Sequence, residues 1–281
     1  VWRSVSVTSR ECVGRQRCPE GDECFAELAR DRARAADVVV TNHAMLAIEW
    51  IDRKPVLPEH DAVIIDEAHE WVDRATSAAT ADLAPGAAEA LVSAVSKQGD
   101  GRAGQNLALA AGALNEALTQ ISAMGGAQRW VQVPESVQSA IVGLRSALGG
   151  SLTAVVSGAK ESAPVTDQAV SQRLRGSLEE LIDVCDRILG AGSDDVLWWD
   201  QRPLRLRIAP LSIAQVMQRS VQETTVIATS ATLSAPGGRH SEPFGHIAGA
   251  WGLPADSWTG LDIDSPFDYA KQGIVYVAAH L

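Results

Sequence analysis

No uninterrupted apolar run in the 281-residue chain reaches the roughly 18 residues a bilayer-crossing helix needs, so no membrane partner is expected. The first residues, Val1-Trp2-Arg3-Ser4, lack both a methionine and the basic-then-apolar pattern of a secretory signal. The chain therefore reads as an internal piece whose start lies upstream. Cysteine is scarce, at 4 residues, and Cys12, Cys18 and Cys24 crowd into one short stretch. A secreted disulfide scaffold spreads its cysteines and is usually shorter. No internal repeat is visible. The pattern G-x-x-x-x-G-K-[ST], whose backbone amides cradle a triphosphate, is missing as well.

Apolar residues make up 46% and charged residues 21%, a composition able to build a packed core. The net charge of −11 argues against a polyanionic partner at first sight. Its distribution says more. Arg3, Arg10, Arg15, Arg17, Arg30, Arg32 and Arg34 give the first 34 residues a charge of +1, so the remainder carries −12. Salt screens distant charges beyond about 10 Å, which leaves a local arginine cluster free to contact phosphates.

The opening stretch is polar and rich in turn formers, and a helical pattern covers 25–36. The run Asp37-Val38-Val39-Val40-Thr41-Asn42 has the β-branched make-up of a buried parallel strand, as does Ala62-Val63-Ile64-Ile65. Residues 76–190 turn to Ala, Leu, Ser, Gln and Glu at helical spacing, which predicts a helical insertion of three to five helices. Strands resume at 196–199 and 204–208; a helix at 212–219 and a strand at 225–228 follow. The fold class expected is α/β, a parallel sheet interrupted by a helical domain.

The strand 62–65 runs directly into Asp66-Glu67-Ala68-His69. Nucleotide hydrolases present an acidic pair at the carboxyl end of a buried parallel strand, where ligands of open α/β sheets bind. There Asp66 holds Mg²⁺ against the β- and γ-phosphates, and Glu67 polarises the attacking water as general base. His69 couples the site to a neighbouring motif. The plainer alternative is the acidic first turn of a solvated helix. A second strand, 225–228, runs into Thr229-Ser230-Ala231-Thr232-Leu233, whose hydroxyls can bond the acidic motif; alone, such a cluster usually marks a turn or a cap.

The spacing Cys12-x5-Cys18-x5-Cys24 fits structural zinc poorly, since zinc ligands usually sit about two to four residues apart. A [4Fe–4S] cluster tolerates loop-spaced thiolates but takes four. Cys185 lies on a helical pattern and reads as a packed core residue, so the fourth ligand is expected before Val1. A Cys3His zinc site using His43 is the rival; His43 follows a strand run, so a structural or ATPase-linked role suits it equally well.

In this order the signals resemble the DinG/XPD family of superfamily 2 DNA helicases, the DinG branch more closely. The matching stretches are Cys12-Val-Gly-Arg-Gln-Arg-Cys18-Pro-Glu-Gly-Asp-Glu-Cys24, Ala36-Asp-Val-Val-Val-Thr-Asn-His-Ala-Met-Leu46 and Val63-Ile-Ile-Asp-Glu-Ala-His69. Ala228-Thr-Ser-Ala-Thr-Leu233 and Ser265-Pro-Phe-Asp-Tyr269 follow. The resemblance implies an iron–sulfur segment at 1–34 with Cys12, Cys18 and Cys24 as cluster ligands, and a RecA-like first motor domain at 35–75 that resumes at 194–260. It implies an Arch-like helical insertion at 76–193 and the start of a second motor domain at 261–281. Asp66 and Glu67 become the metal-binding and catalytic acids of motif II, and Thr229, Ser230 and Thr232 its motif III. The implied cofactors are [4Fe–4S], Mg²⁺ and ATP. The implied partner is single-stranded or forked DNA, with RNA–DNA hybrids included, unwound 5′→3′ by a cytoplasmic, nucleoid-associated monomer in repair or replication. Without the phosphate-binding loop this chain alone is expected to be inactive. The alternatives are an exonuclease–helicase fusion of the same family and a non-catalytic, zinc-stabilised nucleic-acid-binding module.

Trp198 and Trp199 sit on one expected strand, so one should face the core and the other the opposite side. Core packing is expected for most of the 8 tryptophans. Arg30, Arg32 and Arg34 suit either DNA phosphates or a solvated helix face. His60, His240, His246 and His280 lack ligand spacing.

Overall fold

Two short β-branched runs, separated by more than half the chain, meet as the two strands of a parallel sheet. β1 (Ala62–Ile65) pairs with β6 (Thr225–Ala228) in the register Ala62↔Thr225 to Ile65↔Ala228. The computed structural model describes residues 6, 11–53, 55–125, 129–130, 132–158, 165–234, 243–263 and 267–278. Trp2, Arg3, Arg10, His240, Ser265, Pro266 and His280 lie outside them.

Around this parallel pair α1 (Phe25–Arg34) and α2 (His43–Asp52) precede β1, and α3 (Trp71–Ala78) follows it. α9 (Ala214–Glu223) leads into β6, and α10 (Gly245–Ala250) comes after. Ile65 and Ala68 turn inward and share one core with Leu46, Trp50, Trp71, Ile213, Met217 and Trp251. The other face of the pair is open: Ile64 is 69% exposed and its partner Ile227 49%. Gly252, at φ +69°, closes α10, and a Cβ there would meet the Ala214 carbonyl oxygen at 2.7 Å, so only glycine lets α10 approach α9 this closely.

Between residues 81 and 210 the chain builds a second core. β2 (Ala81–Leu83), α4 (Pro85–Glu89) and α5 (Val92–Gln98) lead to three long helices, α6 (Gly101–Ala123), α7 (Glu135–Gly158) and α8 (Val165–Leu189). The helical composition of 76–190 is thus met by five helices, α4 to α8. β3 (Arg129–Trp130), β4 (Asp195–Gln201) and β5 (Leu204–Pro210) join β2 in an antiparallel sheet of order β2-β5-β4-β3. Leu107, Leu114 and Leu118 of α6, Ile141, Leu144 and Leu148 of α7 and Leu178 of α8 pack with Leu206 and Ile208 of the sheet. Each such side chain, fully buried, contributes on the order of 1.5–3 kcal/mol by area.

The hairpin β4–β5 closes this second core rather than the first. Composition changes near 194 because helix gives way to strand, while the packing unit continues to 210. β2 and β3 are too short to show a strand period in sequence.

α7 is long and apolar enough to cross a membrane, with a mean hydropathy of 1.4 over its best 18-residue window. Its glycines, serines and one arginine break up the apolar runs. Val137, Ile141, Leu144, Leu148 and Val155 are buried against its neighbours, as in the core helix of a globular layer. Arg145 of α7 and Asp186 of α8 join the two helices at 2.9 Å; this hydrogen bond holds the Asp186 carboxyl below its ordinary range.

Trp199 is 4% exposed in this core, while Trp198 faces outward beneath the Arg207 guanidinium at 4.9 Å. The alternation expected of the Trp-Trp pair is therefore met. Arg205 and Arg207 share Asp82 at 2.8 and 2.7 Å, which zips β5 to β2 across the outer face.

One expected strand does not form. Residues 37–42 are irregular, with Val38 79% and Val40 93% exposed. The run has strand composition but no ladder: among the described residues β1 and β6 pair only with each other. Asn42, at φ −98° and ψ 161°, instead caps α2 by accepting from the Met45 amide.

Candidate active site

Because β1 and β6 run parallel and in register, their carboxyl ends emerge side by side. The ladder continues one step past both strands: the Thr229 amide donates to Ile65 O and the Ala68 amide to Thr229 O, each at 2.9 Å. Thr229 Oγ1 then donates to Asp66 Oδ1 at 2.8 Å. The two strand-end motifs, 163 residues apart in sequence, form one hydrogen-bonded edge.

At Glu67 the backbone takes φ +50° and ψ 42°, a left-handed conformation that costs a glutamate on the order of 1–2 kcal/mol. The turn 68–70 follows, with Ala68 fully buried beneath it, and leads into α3. The Glu67 side chain stays 61% exposed, open to water and ligand. His69 Nδ1 lies 2.8 Å from Ser230 Oγ and 3.3 Å from Glu67 Oε2. The Ser230 hydroxyl also accepts from the Thr232 amide at 3.2 Å. Asp66, Glu67, His69, Thr229, Ser230 and Thr232 are thus brought together, as their spacing from two strands leads one to expect.

The donor set suits a divalent cation. Asp66 is exposed, and with one carboxylate oxygen engaged by Thr229 it keeps the other for a hard cation. Glu70, three residues past Glu67, is a different carboxylate. A hydrogen bond from Arg74 holds it below the ordinary glutamate range, and the pair closes at 3.0 Å on the flank of α3.

His43 is the residue the sequence leaves with three readings. Its Nε2 lies 2.8 Å from the Asp66 carbonyl oxygen, and its ring packs T-shaped against Trp71 with centroids 5.6 Å apart. Sequence reasoning passes over Trp71. Fully buried, it stacks edge-on with Trp50 at 5.3 Å and donates from Nε1 to Met217 Sδ at 2.8 Å. The one signal for it is its place at the head of the helix that follows the acids.

Cys12 is exposed, and Cys18 and Cys24 are half-buried, in a loop that ends as the cap of α1. Thiolates are the right donors for an iron–sulfur centre. Among the described residues, however, no three Cys, His, Asp or Glu side chains converge where a metal ion could sit. His43, the fourth ligand of the alternative Cys3His reading, is engaged with Asp66 and Trp71. The loop is tied to α8, where Ser177 donates to Glu11 at 3.0 Å and Arg173 to the Ser6 carbonyl at 3.1 Å. The α1 arginines make local contacts, Arg30 with Glu27, Arg34 with Asp31 and Arg32 with the Leu28 carbonyl. Cys185 is buried, as its helical pattern suggests, and burial pushes its thiol up to about 12.

No protein-family model matches the chain. It is 38% identical over 294 aligned positions to the ATP-dependent helicase DinG of Mycobacterium tuberculosis, an alignment covering 100% of this chain and 42% of that protein. A 79-residue stretch is 37% identical to the ATP-dependent DNA helicase YoaA of Escherichia coli, covering 27% of this chain and 12% of that protein. An 80-residue stretch is 36% identical to the ATP-dependent DNA helicase DinG of Salmonella choleraesuis, covering 28% of this chain and 11% of that protein. The chain thus spans less than half the length of the curated relatives it matches. A similarity that runs from one end of the chain to the other at this level reflects common descent, and the chain belongs to the DinG family of helicases.

Proposed function

We propose that this chain carries the hydrolytic edge of an ATP-dependent DNA helicase that couples ATP turnover to 5′→3′ unwinding in repair or replication. The observation that carries the reading is the hydrogen-bonded union of Asp66 with Thr229, and of His69 with Ser230, across a parallel strand pair. In this reading Asp66 holds Mg²⁺, which when bound neutralises charge developing on the phosphates. Glu67 accepts the proton of the attacking water. His69 relays the state of that carboxylate to 229–232, and the hydroxyl motif passes it towards the DNA-contacting parts of the protein.

The division of the chain belongs to the same proposal. Residues 35–75 and 194–260 make up the first motor domain and 76–193 the Arch-like insertion, and the β4–β5 hairpin of the returning segment packs on the insertion's core. Residues 261–281 open the second motor domain. Single-stranded and forked DNA, RNA–DNA hybrids and action as a cytoplasmic monomer are what family membership suggests.

The complete protein is expected to hydrolyse ATP with Mg²⁺ and to do so faster with single-stranded DNA. Turnover indifferent to DNA would remove the helicase reading. Cys12, Cys18 and Cys24 are proposed as ligands of a [4Fe–4S] centre on their spacing and thiol chemistry, and no mechanistic step is routed through it. Iron and acid-labile sulfide should then be found in the anaerobically purified complete protein, in a ratio near about 1:1. Zinc in their place would overturn the cluster assignment.

A further inference from the structure

His43 opens α2 one position past Asn42, whose side chain accepts from the Met45 amide at 3.0 Å. That cap fixes where the helix begins, and therefore where the imidazole leaves the backbone. Trp71 packs against the ring at an interplanar angle of 87°, with Nε2 at 2.8 Å from the Asp66 carbonyl oxygen. A carbonyl can only accept, so Nε2 carries the proton and donates it.

The peptide so gripped is the one that joins Asp66 to Glu67. Its orientation defines φ of Glu67, which stands at +50°. A glutamate is uncomfortable there, and rotation of that peptide offers a route back to the right-handed region. Rotation would also carry the Glu67 carboxylate away from His69 Nδ1, now 3.3 Å distant, and from the open edge of the strands. On the downstream side the turn is held by the Ala68 amide on Thr229 O and by the Glu70 amide on Glu67 O, both at 2.9 Å. On the upstream side Thr229 holds the Asp66 side chain and the Ile65 carbonyl, and the imidazole bonds the carbonyl of the Asp66–Glu67 peptide itself.

We propose that His43 is a positioning residue of the hydrolytic site: its Nε2–H, donated to the Asp66 carbonyl, pins the Asp66–Glu67 peptide and keeps Glu67 turned towards the substrate edge. The inference rests on the reading of Asp66 and Glu67 as the hydrolytic acids. It replaces the metal-ligand reading of His43 with a structural task directed at a named bond.

In the complete protein, His43→Ala lowers kcat for DNA-stimulated ATP hydrolysis by about tenfold to a hundredfold, the scale of a misplaced catalytic group, while KM for ATP stays within about twofold. His43→Gln, whose side-chain amide can donate to the same carbonyl, recovers most of that loss. An independent reading comes from ¹⁵N-histidine NMR of the wild-type protein. There His43, assigned through the signal missing in His43→Gln, shows in its neutral form a protonated Nε2 and a bare Nδ1. A bare Nε2, or equal losses in the Ala and Gln variants, would overturn the inference. So would full activity in His43→Ala alongside an inactive Glu67→Gln, and that pattern leaves the acids' assignment standing. If Glu67→Gln is itself active, the reading of the acids fails first and the inference with it.

Discussion

Glu67→Gln is expected to lower DNA-stimulated ATP turnover of the complete protein by about 10²–10⁴-fold, the range a positioned general base supplies. Glutamine keeps the shape and length of the side chain but cannot accept the proton of the attacking water. The backbone turn is no easier for glutamine than for glutamate, so φ +50° at this position should persist. Binding of a fluorescent ADP analogue with Mg²⁺ should stay near wild type, because Asp66 and its tie to Thr229 are untouched. Glu70→Gln is the matched control. That carboxylate is occupied by Arg74 on the flank of α3 and should change turnover little. Turnover of Glu67→Gln close to wild type would show that the proton goes elsewhere.

Trp71→Ala should destabilise the core around the parallel pair by about 3–5 kcal/mol, the cost typical of truncating a buried tryptophan. Trp71 has no exposed surface and sits between Trp50 and His43, with its indole nitrogen on Met217. The edge-on ring pairs add about 0.5–1.5 kcal/mol each beyond the area they bury. Chemical denaturation followed by circular dichroism reads the change, and Trp71→Phe should recover a large part of it. A loss below about 1 kcal/mol would mean that the pocket collapses onto the deletion, and that α2, α3 and α9 are not held by this ring. Activity should fall along with stability, since His43 leans on the same indole.

The strand ends were legible because each announces itself twice, by a β-branched run and by the residues that stop it. Asp66 and Glu67 follow 62–65, and Thr229 and Ser230 follow 225–228, so their meeting needed only the parallel pairing that such runs favour. The helical stretch was legible from composition. The run at 38–40 misled for the opposite reason. An apolar β-branched stretch has the same look whether or not a partner strand lies beside it, and composition says nothing of partners. The second core's true extent was hidden because β2 spans three residues and β3 two. The left-handed turn at Glu67 was unreadable, since nothing in a glutamate suggests that conformation; only the neighbours that enforce it do. The cysteines are legible in sequence by their spacing alone, and a ligand role for them is a matter of thiol chemistry, which iron and sulfide analysis tests.

Both side-chain bonds that unite the two strand ends join residues more than 160 positions apart. The entropy of closing a flexible loop grows only logarithmically, so doubling the excursion would cost about 0.6 kcal/mol. Only the exposed turns of that excursion can therefore lengthen at little thermodynamic expense, because α6 to α8 carry the second core and their buried side chains cannot be trimmed cheaply. What such distance governs is timing. During synthesis the acids at 66 and 67 leave the ribosome long before their hydroxyl partners, so the hydrogen-bonded edge between the two strand ends is assembled late.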